Sequence, residues 1–128
     1  MADALLDTTF FIDYHRGDVA ARSLWLQIRE RRLTASVSAV TIFELWVGEL
    51  GRREDMQYRA MLAAVEEVPL TAVEAETAAL WLRGLTPSVS EAIVRDAFIA
   101  ATASARNEPI YTRNVRDFSR FYSNVRAY

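Results

Sequence analysis

The amino-acid sequence predicts an α/β fold in which a parallel sheet is flanked by helices on both faces, with residues 1–128 forming a single domain. Short apolar segments alternate with helical hydrophobic patterns along the chain, which is typical of parallel strands joined by helical crossovers. A length of 128 residues suits one domain. No repeat, low-complexity tract or Gly/Ser-rich linker divides the sequence.

The first half of the chain is predicted to contain strands and helices in alternation. Ser38 is the expected N-cap of the third helix, and Gly51 is its expected stop. Positions 40, 43, 47 and 50 give that helix its apolar face. The predicted elements are a strand at 4–6, a short helix over 10–12 capped by Thr8 or Thr9, a helix over 19–31, a strand at 33–35 and a helix over 39–50.

The second half shows clearer start and stop signals. Ser90 followed by Glu91 begins a long Ala-rich helix that runs to about Arg106. Gly84 and Pro87 end the helix before it. The other predicted elements are a helix around 55–65, a strand end at 67–70, a helix from 71 or 77 to 83, a strand at 109–112, a helical turn around 117 and a last strand near 125.

Composition excludes several kinds of chemistry. The chain has no Cys, so thiolate metal sites, disulfides and cysteine nucleophiles are impossible. His15 is the only histidine, which leaves almost nothing for a Ser-His-Asp triad or a His-rich zinc site. Acidic residues near the N-terminus do not fit a signal peptide, and no apolar run is long enough to span a bilayer. We therefore expect a cytoplasmic protein without a membrane partner.

The charge balance gives no general attraction to nucleic acid. The formal net charge is -2, so contact with nucleic acid would need a local basic patch or a bound cation. The C-terminal segment supplies candidates for phosphate contact, chiefly Arg113 and Arg116, with Arg120 and Arg126 nearby. An equally good interpretation is that these arginines are solvated surface residues.

Two acidic residues occupy positions where a helix should be apolar. Glu44 lies between Val40 and Val47 on the projected helical wheel. Asp96 falls on the apolar face of the Ala-rich helix. Burying an uncompensated carboxylate costs several kcal/mol, so a cation or a hydrogen-bond donor must compensate it. A structural role at the edge of the core explains one such acid well, but two on separate helices favour a site.

Two further acids follow predicted strands. Asp7 comes directly after the first strand, and Asp117 lies shortly after the strand at 109–112, three residues beyond Asn114. Ligands of parallel sheets gather beyond the carboxyl ends of strands. Asp7 and Asn114 also fit helix N-caps, so both roles stay open for them.

A cluster of these carboxylates would repel unless a divalent cation neutralised it. An all-oxygen site of this kind suits Mg²⁺, with Mn²⁺ as the alternative. Such an ion polarises a phosphoryl oxygen and lowers the pKa of a bound water, while a second acid orients that water. The sequence therefore points to phosphodiester hydrolysis.

Four segments in order, LLDTTFFID, SAVTIFELWVGE, RDAFIAATA and YTRNVRDF, resemble the PIN-domain family, and especially its VapC-like toxins. The resemblance covers nearly the whole chain and implies a Rossmann-like three-layer fold. It implies Asp7 and Asp96 as the main metal ligands, Glu44 and Asp117 as supporting acids, and Thr112 and Asn114 as polar residues that shape the site.

The resemblance further implies a Mg²⁺-dependent endoribonuclease that acts as the toxin of a toxin–antitoxin pair. RNA, structured RNA such as tRNA included, would be the substrate. The protein would form a homodimer and bind a small antitoxin whose tail blocks the site. Apolar residues in excess of one helix face, among them Phe10, Phe11, Trp46 and Leu50, fit an antitoxin groove, a dimer face or the core.

Three other functions fit parts of the sequence. A catalytically inactive PIN-like module that binds RNA or a protein is the main alternative, although such a module has no reason to keep four acids. A phospho-accepting receiver domain normally relies on a Lys near the phosphoryl group, and this chain has none. A phosphatase with an Asp nucleophile would need a second Asp where Thr9 stands.

Overall fold

A computed structural model describes residues 1–85 and 89–128, so the predicted helix stop at Pro87 lies outside the described residues. Within them the chain forms a five-stranded, all-parallel sheet with helices between the strands, which confirms the predicted fold class. The elements are β1 (Ala4–Leu6), α1 (Thr8–His15), α2 (Val19–Arg29), β2 (Ala35–Ser38), α3 (Ala39–Val47), α4 (Arg52–Leu62), β3 (Glu66–Val68), α5 (Ala72–Arg83), α6 (Glu91–Arg106), β4 (Ile110–Tyr111), α7 (Val115–Ser119) and β5 (Val125–Arg126).

The strand order is β3-β2-β1-β4-β5. From the central strand β1 the chain moves outward to β2 and β3, then returns to the other side of β1 for β4 and β5. Leu5 pairs with Ser36 on one side and with Ile110 on the other. The strand order therefore reverses between β1 and β4, and the carboxyl ends of the strands at such a reversal are where open parallel sheets bind ligands.

Side chains of β1 alternate between two apolar layers, as strand geometry requires. Leu6 packs with Phe10 and Trp25 from α1 and α2 on one face. Leu5 packs with Ile99 of α6 on the other face. All of these side chains are buried, so helices cover both faces of the sheet and the three-layer prediction holds.

The second strand differs in place from its prediction at 33–35. It spans Ala35–Ser38, and all four residues are buried. Its register pairs Ala4 with Ala35 and Leu6 with Val37, so the neighbouring strand fixes its position. Ser36 and Ser38 are fully buried polar residues inside this strand, which hid it from a search for apolar runs.

The predicted helix over 39–50 is shorter in the structure. It ends at Val47, and Gly51 begins the next helix as its N-cap instead of stopping this one. Phe43 and Val47, predicted to face inward, are 58% and 67% exposed. Thr41, together with Leu45, faces the core, so the buried face of α3 is partly polar and the apolar wheel predicted the wrong orientation.

The four apolar residues assigned from sequence to an antitoxin groove, a dimer face or the core differ in burial. Phe10 and Phe11 are fully buried and belong to the core, while Trp46 and Leu50 pack against it partly buried. These four residues therefore do not form an open groove.

Among residues 1–85 and 89–128, no helix has both the length and the hydropathy that a membrane crossing requires.

Candidate active site

Asp7 lies at the carboxyl end of β1, at the reversal of strand order, and is only 2% exposed. One carboxylate oxygen, Oδ1, accepts a 3.1 Å hydrogen bond from the backbone N–H of Phe10, so Asp7 is the N-cap of α1. The predicted caps Thr8 and Thr9 lie inside the helix. The other oxygen, Oδ2, accepts a 2.7 Å bond from the Thr112 hydroxyl beyond β4. Asp7 therefore caps α1 and also lies at the carboxyl end of β1, so the two placements that the sequence left open are both present.

The environment of Asp7 disfavours its charge. Burial, together with the nearby charge of Asp96, raises the pKa of the Asp7 carboxyl to about 7, against the hydrogen bonds from Thr112 and Phe10. Desolvation penalises an ionised carboxylate more than two neutral donors can compensate. A cation at this position would restore the ionised form.

Thr112 and Asn114 join the loop after β4 to the start of α1. The Thr112 hydroxyl donates to Asp7 and accepts a 2.8 Å bond from the Asn114 N–H. Asn114 occupies the N-cap position of α7, but its side chain does not cap that helix. It donates instead to the Thr9 hydroxyl at 3.2 Å. These two residues therefore hold the crevice between β1 and β4 together.

Glu44 reaches the site from α3, with its side chain 23% exposed. Its Oε1 accepts a 2.6 Å bond from the Thr8 hydroxyl, next to Asp7 in the chain. Its Oε2 accepts a 3.0 Å bond from Nε of Arg95 on α6. Both oxygens are thus satisfied, one by α1 and one by α6.

Asp96 of α6 interacts electrostatically with each of the other three acids. Burial, followed by the charges of Asp117 and Glu44, raises its pKa to about 6, while Arg120 and Arg95 oppose the rise. Like charges that cannot move apart disfavour one another's ionisation. Since Asp96 also acts on Asp7, all four predicted acids belong to one electrostatic cluster.

Asp117 lies on the short helix α7, where its side chain is 51% exposed. The guanidinium of Arg120 sits 3.7 Å from its carboxylate and 3.9 Å from that of Asp96. Arg120 also donates from Nε to the Asp117 carbonyl at 3.0 Å. Asp117 is therefore the member of the cluster that is open to solvent.

Nothing in the sequence singles out Arg95, and Arg120 was predicted only as one of several nearby candidates for phosphate contact. Together they pair with three of the four acids. Across the described part of the chain, no three carboxylates converge closely enough to chelate one ion. The available signal was the charged pair Arg95-Asp96 on an Ala-rich helix, but its partners on α3 and α7 depend on tertiary packing.

Arg113 and Arg116, the predicted phosphate contacts, have different surroundings. Arg113 pairs with Asp13 at 3.2 Å and also with Asp18, and its guanidinium lies over the Tyr128 ring. It is thus engaged in a surface network. Arg116 is exposed on α7, the same helix as Asp117.

Two buried acids were missed altogether, Glu74 on α5 and Glu108. Glu108 is fully buried just before β4, at the amino ends of the strands, whereas Asp7 lies at their carboxyl ends. It accepts hydrogen bonds from the Ser36 hydroxyl at 2.6 Å, the Ala2 N–H at 2.8 Å and Arg106 Nε at 3.0 Å. With donors on both oxygens it has a structural explanation.

The donor set fits a hard divalent cation. Asp7, Glu44, Asp96 and Asp117 offer only carboxylate oxygens, which Mg²⁺ and Mn²⁺ prefer. The pKa values of Asp7 and Asp96 are raised, and a bound cation would lower them by stabilising the ionised carboxylates. Asp7 and Asp96 are the two of the four acids whose pKa values are raised, so a cation held between them would relieve the largest penalty on ionisation.

The solved structures that this chain resembles include three from bacteria. A toxin–antitoxin complex from Klebsiella pneumoniae matches 95% of this chain and 94% of its own, at 24% identity and a TM-score of 0.74. DNA-bound VapBC from Salmonella typhimurium matches 100% and 98%, at 20% identity and a TM-score of 0.75. VapBC2 from Rickettsia felis, bound to a promoter DNA fragment, matches 98% and 96%, at 17% identity and a TM-score of 0.73.

No curated protein matches the sequence significantly. At these identities the solved structures establish the shared fold. The family model described as the PIN domain, however, matches residues 4–124 of the sequence itself. That match includes β1, all four clustered acids and the loop after β4. The chain therefore belongs to the PIN domain family.

Proposed function

We propose that this protein is a metal-dependent endoribonuclease that hydrolyses RNA phosphodiester bonds and acts as the toxin of a toxin–antitoxin pair. The observation that carries the proposal is the electrostatic cluster of Asp7, Glu44, Asp96 and Asp117 at the reversal of strand order. Structures with the same fold come from complexes described as toxin–antitoxin or VapBC. Membership of the PIN family supports nuclease chemistry.

In this proposal Asp7 and Asp96 hold Mg²⁺ or Mn²⁺. When bound, the ion polarises the phosphate and lowers the pKa of a coordinated water. Asp7 contributes a carboxylate whose orientation is fixed by the Phe10 N–H and the Thr112 hydroxyl. Such preorganisation avoids reorientation during the reaction.

The other two acids have different freedom. Glu44 is fixed at both oxygens by Thr8 and Arg95, so it suits a positioning role. Asp117 is half exposed on α7 and can accept a hydrogen bond from an entering water, which orients that water for attack on phosphorus. The phosphate of the substrate would approach from this open side.

The proposal includes protein partners, namely a second copy of the chain and an antitoxin. An exposed apolar surface on α3, containing Phe43 and Val47, supports a protein contact. Beside it, a cavity of about 420 Å³ between α3 and α6 is lined by Val40, Phe43, Leu70, Val94 and Phe98 among others. Sedimentation of the purified protein, compared with its Val47→Asp variant, distinguishes a homodimer through this face from a monomer that awaits an antitoxin.

Cleavage of RNA by purified protein tests the enzymatic proposal. A mixture of total tRNA and mRNA is incubated with Mg²⁺, with Mn²⁺ or with EDTA, using wild type and Asp96→Asn. Asp55→Asn is the matched control, since Asp55 is a half-exposed surface acid paired with Arg59. We expect metal-dependent cleavage by wild type and Asp55→Asn, and a loss of about 100-fold or more in Asp96→Asn.

An inactive PIN-like module is the second candidate function. The arginines paired with three of the acids favour it, because they neutralise the cluster without a metal. It predicts RNA or protein binding that is insensitive to EDTA and no cleavage under any metal condition. Cleavage by Asp96→Asn at the wild-type rate would contradict the site assignment itself.

Toxicity has a separate test. Induced expression of wild type should arrest bacterial growth, and expression of a folded Asp96→Asn variant should not. Normal growth despite abundant folded, active enzyme would refute the toxin role while leaving the nuclease proposal intact.

A further inference from the structure

Arg95 and Arg120 surround the acid cluster from two sides. Arg95 comes one residue before Asp96 on α6 and binds Glu44 on α3. Arg120, at the end of α7, lies between the carboxylates of Asp96 and Asp117, 3.9 Å and 3.7 Å away. Three of the four acids therefore have a guanidinium neighbour supplied by the chain itself.

The contacts of Arg120 are those of a counter-ion shared between two acids. Its distances to both carboxylates exceed a good hydrogen bond, and its Nε donates to the Asp117 carbonyl instead. A positive charge held about midway between two carboxylates lowers their mutual repulsion. A bound divalent cation would have the same electrostatic effect on these acids.

Asp7 is the exception. Its carboxylate accepts hydrogen bonds from Phe10 and Thr112, and within residues 1–85 and 89–128 it has no ion-pair partner. A metal ion can therefore approach Asp7 without displacing an arginine. At Asp96 and Glu44 it must compete with Arg120 and Arg95.

We propose that Arg95 and Arg120 are resident counter-ions of the candidate site, which compete with the divalent cation for Glu44, Asp96 and Asp117 and so weaken its binding. They are positioning residues, because they act through the acids. The inference rests on the proposed metal-dependent function. It assigns a role to two residues whose contacts differ from those of ordinary surface ion pairs, since each joins separate elements of the site.

The opposite role for these arginines predicts the opposite change in metal affinity. If the arginines served to hold the acids in a binding geometry, removing them would weaken metal binding. As competitors, their removal strengthens it. Loss of one positive charge several ångströms from the ion should tighten binding by about 3- to 30-fold at an effective dielectric constant near that of water, with salt screening giving the lower bound.

The experiment is a titration with Mn²⁺ alone, in which EPR measures the free ion, on wild type, Arg95→Gln and Arg120→Gln. Arg59→Gln is the matched control, because Arg59 is an exposed arginine of α4 that pairs with Asp55 and, within the described residues, forms no ion pair with the four acids. Arg95→Lys keeps the charge. We expect tighter binding in Arg95→Gln and Arg120→Gln by about 3- to 30-fold, and binding within about twofold of wild type in Arg59→Gln and Arg95→Lys.

Thermal unfolding in EDTA provides a second readout. Arg95→Gln and Arg120→Gln should unfold at a lower temperature than Arg59→Gln without metal, and Mn²⁺ should raise their unfolding temperatures more than that of wild type. The two arginines occupy different elements, so one variant that fails to fold leaves the other to decide.

Unchanged or weaker Mn²⁺ binding in both glutamine variants would overturn the inference. If wild type still cleaved RNA with metal, the proposed function would survive that result. Absence of Mn²⁺ binding in every variant would overturn the inference and the metal dependence together. Binding by the glutamine variants but not by wild type would support the inference in its strongest form.

Discussion

Asp7→Asn should stabilise the metal-free protein at alkaline pH. Burial raises the pKa of Asp7 from 3.8 to about 7, a difference of about three pH units. Each unit corresponds to about 1.4 kcal/mol, so ionisation costs the folded state at most about 4 kcal/mol. Asn keeps an oxygen for the Phe10 N–H but loses the charged acceptor of the Thr112 hydroxyl, which offsets about 1–3 kcal/mol. We expect a net gain of about 1–3 kcal/mol in the free energy of unfolding.

The pH dependence follows from the sign of the shift. Because the pKa of Asp7 in the folded state lies above its value in the unfolded state, the free energy of unfolding of wild type falls as the pH rises from about 4 to about 7. Asn does not titrate, so the advantage of the variant should be absent near pH 4 and complete by about pH 8. For a chain of 128 residues, it corresponds to a rise of about 4–12 °C in Tm.

Differential scanning calorimetry in EDTA across this pH range measures the effect. Asp3→Asn is an informative control, because hydrogen bonds from Thr34 lower the pKa of Asp3. Removing the Asp3 carboxylate should therefore destabilise the protein at neutral pH, whereas removing the Asp7 carboxylate should stabilise it. An Asp7→Asn variant no more stable than wild type at pH 8 would refute the reasoning from burial. Mg²⁺ should narrow the gap by stabilising wild type alone.

Three further substitutions have defined expectations. Thr112→Val keeps the shape but leaves Asp7 Oδ2 without its donor, so chemical denaturation should show a loss of about 1–3 kcal/mol; no loss would mean that water replaces the hydroxyl. Glu108→Ala removes a fully buried acid bound to Arg106 and should cost about 3–5 kcal/mol by the same measurement, whereas a cost below 1 kcal/mol would contradict the buried pair. Arg113→Gln breaks surface ion pairs and should change stability by less than about 1 kcal/mol; RNA cleavage at the wild-type rate would make these ion pairs its main role, whereas a large loss of cleavage would support its predicted contact with phosphate.

Local signals predicted α6 well. Ser90 caps the helix with a 3.2 Å bond to the Ile93 N–H. The helix ends at Arg106, followed by Asn107 in the left-handed conformation with φ 54°, which Asn tolerates better than most residues. Start and stop are both encoded within one turn of the boundary, so no knowledge of the tertiary fold was needed.

Glu44 shows the limit of periodicity. The helical wheel selected it because it lay between Val40 and Val47, yet Val47 is 67% exposed. Its contacts are with Thr8 and Arg95, which come from other elements. Glu44 does join the cluster, as predicted, but the premise that it lies on an apolar helix face was wrong. The part of α3 that faces the acids is polar, so no apolar stripe marks it in the sequence.

The arginine partners were beyond sequence reasoning for a related cause. Fifteen arginines are present, and nothing local distinguishes Arg95 or Arg120 from those on the surface. Their roles depend on how α6 lies against α3 and α7. Acids after strands could be predicted from topology alone, since parallel strands bring their carboxyl ends together, whereas counter-ions on the crossing helices require the packing itself. The catalytic roles assigned to the four acids remain predictions.

The hydrogen bond between Asp7 and Thr112 joins residues 105 positions apart. Contacts of such long range form late, because closing the intervening chain costs entropy before the contact can repay it. During synthesis, Asp7 leaves the ribosome long before Thr112 does. The crevice between β1 and β4 is therefore incomplete in any nascent chain that lacks Thr112. If the proposed nuclease activity depends on this crevice, it would be absent near the ribosome until almost the whole domain has been made.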